Sequence, residues 1–239
     1  MTDSDPGPAR AAIPHPEMHD AVVASGDEAE RRRQRALVRA GYDAISHSYR
    51  SDGGESNPAS PESTSTYIAW VDELRGHLRP GSRVLDLGCG AGVPATRALV
   101  DAGFEVTGID ISTVQIDRAR TLVPEATFVC ADMVEWDCPP NSFDAIVSFY
   151  ALIHVPLEDQ RHLIPRLARW LTTGGYVLAI VGCQRWTGVE DYMGAPMFWD
   201  HADTDTYVAW MGQADLRPVW HRFIPEGASG HTLVLAQRH

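Results

Sequence analysis

Apolar positions carry no regular pattern over the first thirty residues, and from Gln34 onward they recur at three- and four-residue spacing. Leu37, Val38, Gly41, Tyr42, Ile45 and Tyr49 share one face of a helix predicted over 34–49. The Gly-, Pro- and Ser-rich stretch 51–63 (SDGGESNPASPES) reads as a loop. Tyr67, Ile68, Val71, Leu74 and Leu78 then mark a second helix over 64–78, stopped by Pro80 and Gly81. Beyond it, short apolar runs predict strands at 83–87, 105–109, 127–130, 145–149 and 176–181. Helical patterns fall between them at about 93–102, 113–121 and 157–171, the last with Pro165 predicted to kink it. Residues 183–203 interrupt the alternation with an aromatic-rich insertion. A helix near 204–213 and strands at about 218–224 and 231–237 follow, and PEGASG between those strands is short enough for an antiparallel hairpin. Strand–helix alternation of this kind predicts an α/β fold, a doubly wound and mostly parallel sheet.

Composition narrows the chemistry. The 239 residues hold 32 acids against 20 basic residues, a formal net charge of −12, and every basic residue is arginine. The absence of lysine excludes a Schiff-base mechanism and a phosphate loop ending in Gly-Lys-Ser/Thr. The acidic balance argues against nucleic acid as a partner. Residues 1–30 carry seven acids and one arginine without an apolar run, so 1–33 is expected to be a disordered tail. Arg31, Arg32, Arg33, Arg35 and Arg39 then arrive together, and the expectation is a solvated helix face rather than a docking patch. A single domain is expected over 34–239: a helical cap (34–79), a core (80–182), the insertion as a substrate lid (183–203) and a C-terminal helix and hairpin (204–239). Cys89, Cys130, Cys138 and Cys183 lack metal-ligand spacing, so no metal is expected and the thiols fit a reducing cytoplasm. Neither a secretory signal nor a membrane span is expected.

The densest chemical signal is VLDLGCGAGVPA, residues 84–95. A strand runs into Gly88, Gly90 and Gly92 and then a helix, an arrangement that lets backbone approach a ligand closely. A dinucleotide fingerprint places its third glycine where this chain has Val93. Asp86 precedes the glycines by two residues, Asp110 closes FEVTGID, and Asp132 closes ATFVCAD. A carboxylate at the second of these places suits the two hydroxyls of a ribose, and one at the third suits the exocyclic amine of an adenine. Three acids at the carboxyl ends of successive strands, beside a glycine loop, form a ligand constellation rather than three unrelated turns.

These stretches, with FDAIVSFYALIHV and LTTGGYVLAI, resemble the core of a class I S-adenosylmethionine-dependent methyltransferase over Val84–Val181, of a branch acting on small molecules. The resemblance implies a Rossmann-like sheet with a reversed final strand, and S-adenosylmethionine as cofactor with S-adenosylhomocysteine as product. It implies that Gly88, Cys89 and Gly90 line the methionine part and that Asp86 orders the amino group. Asp110 would take the ribose hydroxyls, Ile111 would cover the adenine, Asp132 and Met133 would flank it, and Ser148 and Phe149 would offer backbone near the methionine. Tyr42 and Tyr49, seven residues apart, suit either a lid over the cofactor or core packing. His154 is the expected general base, with a helix-capping role as its alternative and His201 and His231 as weaker candidates; Tyr150 could contribute a hydroxyl. Trp186, Met197, Phe198, Trp199 and His201 are expected to form the acceptor pocket, or else to finish the core beneath the insertion. The expected partner is a small, partly apolar molecule, and the protein a monomer or homodimer. The rival readings are an RNA or protein methyltransferase, a cyclase that binds S-adenosylmethionine without transferring its methyl, and a nicotinamide-dependent oxidoreductase.

Overall fold

The computed structural model describes residues 28–53, 63–227 and 229–239. The expected tail up to residue 27 and the expected loop over 54–62 lie outside the described residues. Strands β1 (Arg83–Leu87), β2 (Glu105–Asp110), β3 (Thr127–Cys130), β4 (Phe143–Ser148), β5 (Leu171–Gly182), β8 (Leu216–Glu226) and β9 (Ser229–Arg238) form one sheet in the order β3-β2-β1-β4-β5-β9-β8. Only β9 is reversed; it runs antiparallel to β5 and β8, so the hairpin read from PEGASG is present. The strands are apolar on both faces, as a sheet covered on both sides requires. Leu85, Leu87, Ile146, Val177 and Ala179 face α5 (Leu157–Trp170) and α6 (Thr204–Gln213). Val84, Val147, Leu178 and Ile180 alternate with them and face α2 (Thr64–Arg75) and α3 (Ala95–Asp101). The helix α4 (Thr113–Leu122) covers β2 and β3 through Ile116, Ala119 and Val123. Ser63, Ser112 and Asp203 cap α2, α4 and α6 with side-chain oxygens that accept from Thr66, Gln115 and Thr206 amides. Pro165 lies inside α5 without ending it, because Leu163, Ile164, Leu167 and Trp170 around it are fully buried and hold the helix by packing.

Two expectations are corrected. The first helix, α1 (Glu28–Tyr49), starts six residues before the predicted position, so residues 28–33 are helix rather than tail. Its first turns carry no apolar stripe and are held by Glu28 and Glu30 paired with Arg31, Arg32 and Arg33 at i+3 and i+4. The second correction is the insertion, which is a two-stranded antiparallel hairpin of β6 (Trp186–Tyr192) and β7 (Ala195–His201). Met193 and Gly194 form its two-residue turn with φ of 58° and 88°, the left-handed geometry a tight hairpin needs. The hairpin packs on α1 through Val38, Ile45, Ala195, Met197 and Phe198, a small core separate from the sheet. Gly41 permits this contact: a Cβ there would stand 2.8 Å from Met197 Cε and 3.2 Å from the Pro196 carbonyl.

Candidate functional site

The glycine loop leaves β1 at Gly88, whose φ is 84° and whose missing Cβ would lie 2.1 Å from Ala151 Cβ. Only glycine allows the loop to lie against the segment after β4. The amides of Gly88 and Cys89 donate to the Ile109 carbonyl, which ties the loop to the end of β2. One residue further, Asp110 Oδ2 accepts from Gly90 N at 2.9 Å while Oδ1 accepts from Ser112 N at 2.9 Å. Asp86 is 1% exposed and accepts from Thr96 Oγ1 at 2.6 Å. Burial pushes Asp86 up to about 7 and Asp110 up to about 6. Neither carboxyl has a cationic partner among the described residues, so hydrogen bonds alone support their charged forms.

Two cavities meet at Gly88. One is lined by Tyr42, Asp110, Ile111, Asp132, Met133 and His154 together with Arg35, Val38, Ala151 and Val155. The other is lined by Tyr49, Asp86, Cys89, Gly90 and Phe149 together with Arg50, Tyr67, Gln115 and the start of α3. Of the residues expected around the cofactor, Ser148 alone lines neither: its hydroxyl is buried and donates to the Leu87 carbonyl at 2.8 Å.

The residues expected to hold an acceptor behave differently. Met197 and Phe198 are buried in the seam between the hairpin and α1, and Trp186 is exposed on the hairpin's outside. The Trp199 ring centroid lies 4.1 Å from that of His154 with the rings tilted by 43°, and its buried indole Nε1 has no hydrogen-bond partner among the described residues. His201 Nδ1 donates to the Gln184 carbonyl at 2.7 Å. Tyr150 donates from its hydroxyl to Glu226 Oε1 at 2.8 Å. None of these six lines either cavity. The hairpin spends one face on α1, so the aromatic residues of that face serve packing.

His154 closes a 3₁₀ turn at Leu152–His154 after β4 and is 4% exposed. A carbonyl only accepts, so Nδ1 carries the proton and donates to Phe198 O at 2.8 Å. Nε2 of the neutral ring then accepts from the Tyr42 hydroxyl at 2.9 Å. Burial drives His154 down to about 4, so the ring is neutral at ordinary pH with both nitrogens committed inside the protein. It joins α1, the hairpin and β4 as a strut.

Sequence reasoning missed two arginines. Arg35, assigned to a solvated face, is 5% exposed; Nε reaches Asp132 Oδ2 at 2.6 Å and Nη1 reaches Asp159 Oδ2 at 2.5 Å. Arg31 joins it on Asp159 at 2.8 Å, while Arg32 and Arg33 do face solvent. A signal existed, because Arg35, Tyr42 and Tyr49 fall at successive seven-residue steps on one helix face. Arg50 lines the second cavity, donates to the Tyr67 hydroxyl at 2.9 Å and lies 5.2 and 5.0 Å from the Tyr49 and Tyr67 ring centroids. No spacing rule pointed to it.

Residues 84–175 match a family model described as a methyltransferase domain. Among curated proteins, the 27-O-demethylrifamycin SV methyltransferase of Amycolatopsis mediterranei is 40% identical over 113 residues, 44% of this chain and 41% of that one. The chain thus spans less than half the length of the curated relatives it matches. Among solved structures, the Burkholderia thailandensis 1,6-didemethyltoxoflavin-N1-methyltransferase, with its substrate and S-adenosylhomocysteine bound, superposes with a TM-score of 0.69. It is 17% identical, with 92% of this chain and 93% of that one covered. The [4+2]-cyclase SpnF superposes with a TM-score of 0.66 at 19% identity, covering 84% of this chain and 94% of that one. At these identities the two structures establish the fold.

Proposed function

We propose that the chain, whose residues 84–175 match a methyltransferase-domain model, is a class I S-adenosylmethionine-dependent methyltransferase that methylates a small, partly apolar molecule. The observation that carries the reading is the pair Asp86 and Asp110, the first buried and the second partly buried, both raised toward neutrality and without a cationic partner among the described residues, at the carboxyl ends of adjacent parallel strands. A ligand whose ammonium supplies a positive charge beside Asp86 and whose ribose hydroxyls donate to Asp110 satisfies both carboxylates, so the residues present fit this cofactor. The cavity beside Asp110, Ile111, Asp132 and Met133 takes the nucleoside, and the one beside Asp86, Gly88, Cys89 and Gly90 takes the amino acid. Ser148 supports the loop from beneath through the Leu87 carbonyl. When bound, the cofactor supplies an electrophilic methyl group. The chain's own part is to align the acceptor with that methyl and to keep water away, which Tyr42, Tyr49 and Phe149 do by closing apolar rings over the two cavities.

The acceptor classes named for the relatives, a demethylrifamycin and a didemethyltoxoflavin, support a natural-product acceptor. No helix among the described residues is long and apolar enough to cross a membrane. The reading places the protein in the cytoplasm, as a monomer or homodimer without a nucleic-acid partner, since nearly all of the −12 net charge belongs to residues beyond position 39.

Titration calorimetry with S-adenosylhomocysteine tests the assignment. Binding is expected, and Asp110→Ala should weaken it at least tenfold by removing a charged hydrogen-bond acceptor. Binding of a nicotinamide dinucleotide in place of S-adenosylhomocysteine would overturn it. Failure to release S-adenosylhomocysteine with any acceptor, despite tight binding of S-adenosylmethionine, would instead place the chain with non-transferring cyclases.

A further inference from the structure

With both nitrogens of His154 occupied, the acceptor-side proton needs another receiver, and a second histidine stands at the same sheet edge with a different environment. His231 enters β9 opposite Gly182, the last residue of β5, and opposite Ile224 of β8. Glu226 ends β8, and Tyr150 follows the end of β4 at a φ of 60°. All three therefore lie at the carboxyl edge of the parallel strands, where open α/β sheets bind their ligands. Glu226 Oε1 accepts from His231 Nδ1 at 2.9 Å and from the Tyr150 hydroxyl at 2.8 Å. The Tyr150 ring stands edge-on to His231, centroids 5.5 Å apart. Its chain neighbour Phe149 lines the cavity assigned to the cofactor's amino-acid end.

Because Nδ1 donates to the carboxylate, the lone pair of the neutral ring sits on Nε2. No described residue hydrogen-bonds that nitrogen, and the side chain is 14% exposed. The titratable groups around His231 are Glu226 from β8, Tyr150 from the end of β4, His201 from β7 with ring centroids 5.8 Å away, and His154 from the turn after β4, which feels its charge; the Cys183 thiol past β5 donates to the carbonyl of the neighbouring Gly230. A carboxylate holding one nitrogen while the other faces outward is the arrangement that orients a general base.

We propose that His231, held by Glu226 and Tyr150, is the catalytic base of this protein and that its acceptor is a hydroxylated aromatic compound. The inference rests on the methyltransferase reading above. The acceptor O–H bond breaks as Nε2–H forms. The oxygen keeps its electron pair and bonds to the methyl carbon, the sulfur keeps the pair of the broken C–S bond, and the imidazolium then gives its proton to water. The charge that began on the sulfonium leaves as that proton. A hydroxyl on an aromatic ring fits because its acidity is within reach of an imidazole, and because the Tyr150 ring stands edge-on to His231 and gives that side of the site an aromatic surface.

The test uses the full chain. Long-range ¹H–¹⁵N spectra of the histidines, taken with S-adenosylhomocysteine present, should show neutral His231 protonated at Nδ1, and Glu226→Leu, which has no acceptor, should abolish that preference. With S-adenosylmethionine and a panel of mono- and dihydroxylated aromatic compounds, His231→Asn should lower kcat about 100-fold or more near neutral pH. It should leave S-adenosylhomocysteine affinity within about twofold and be partly rescued by added imidazole. The deficit should shrink as alkali ionises the acceptor by itself, and Glu226→Gln should move the acid limb of kcat/KM to lower pH. Any of three results overturns the proposal: His231 protonated at Nε2, an unchanged kcat in His231→Asn, or a panel in which no hydroxyl is methylated although S-adenosylhomocysteine binds. Absence of S-adenosylhomocysteine binding would instead sink the methyltransferase reading, while the His231 tautomer remains separately measurable.

Discussion

The two sides of the ligand site are built on opposite plans. On the α1 side, side chains are tied to one another: Arg35 to Asp132 and Asp159, Asp43 to the Ser112 hydroxyl, Ser46 to Gln115, and Tyr42 through His154 to the Phe198 carbonyl. On the far side, around β8 and β9, the polar groups are fewer and partly buried, and a ring nitrogen is left without a partner among the described residues. His154 and His231 make the contrast in one residue type. Both donate from Nδ1 to a protein oxygen, but only His154 is buried and has its second nitrogen engaged. A histidine's position after a strand therefore says little about its role; what Nε2 meets decides it.

The largest test of the contrast is Arg35→Met. It leaves Asp132 facing the cavity without its guanidinium and removes one of two arginines from Asp159, and should cost about 3 kcal/mol or more in urea unfolding. A loss under about 1 kcal/mol would mean that α1 is held by its apolar seam alone.

Next comes His154→Asn, expected to cost about 1–3 kcal/mol through the two buried hydrogen bonds. Its pH signature is specific. The folded state holds His154 at about 4, below the ordinary value of 6.5, so it favours the neutral ring. The stability it contributes is complete above pH 6.5 and is lost as pH falls toward 4. Melting curves should show that acid-side slope flattened in the variant. A loss of the acid limb in kcat/KM in this variant, and not in His231→Asn, would reverse the two roles.

The smallest effect is a proton count. Asp86 and Asp110 are raised to about 7 and about 6 without ligand, so a cationic ligand that restores their carboxylates must expel protons. Calorimetry in buffers of different ionisation enthalpy should find between about one and two protons released per S-adenosylmethionine bound at pH 6, and almost none above pH 8. The same raised values make the ligand-free protein lose stability as pH rises from about 4 to 7, opposite in sign to His154. Binding without proton release at pH 6 would place the positive charge elsewhere.

Much of the architecture was readable because its causes are local. Apolar runs such as Val84–Leu87 and Ala145–Phe149 are buried on both faces, and Asp86, Gly88, Asp110 and Asp132 fall where strands end. The hairpin at 183–203 was not readable as strands, because its exposure follows α1 rather than a simple alternation: Trp186, Thr187, Glu190 and Asp191 are all exposed, while Met197 and Phe198 are both buried. Arg35 looked solvated because charge on a helix usually is, and its partners Asp132 and Asp159 are 97 and 124 residues away. His154 suited a base by position, and only the carbonyl of Phe198, 44 residues on, fixes its tautomer. Glu226 and His231 lie five apart across the β8–β9 turn, a pairing legible in principle once that turn is recognised.

One further consequence comes from α1 itself. A helix of 22 residues is about 33 Å long, and this one meets Asp132 near its start, His154 at its middle and Gln115 through Ser46 near its end. A rigid rod anchored at three points settles or lifts as a unit. Adenosine alone, or methionine alone, would need the whole rod seated while offering contacts to only part of it. The two halves of the ligand are therefore worth more joined than apart, and their linkage acts as an effective concentration of one half in the presence of the other.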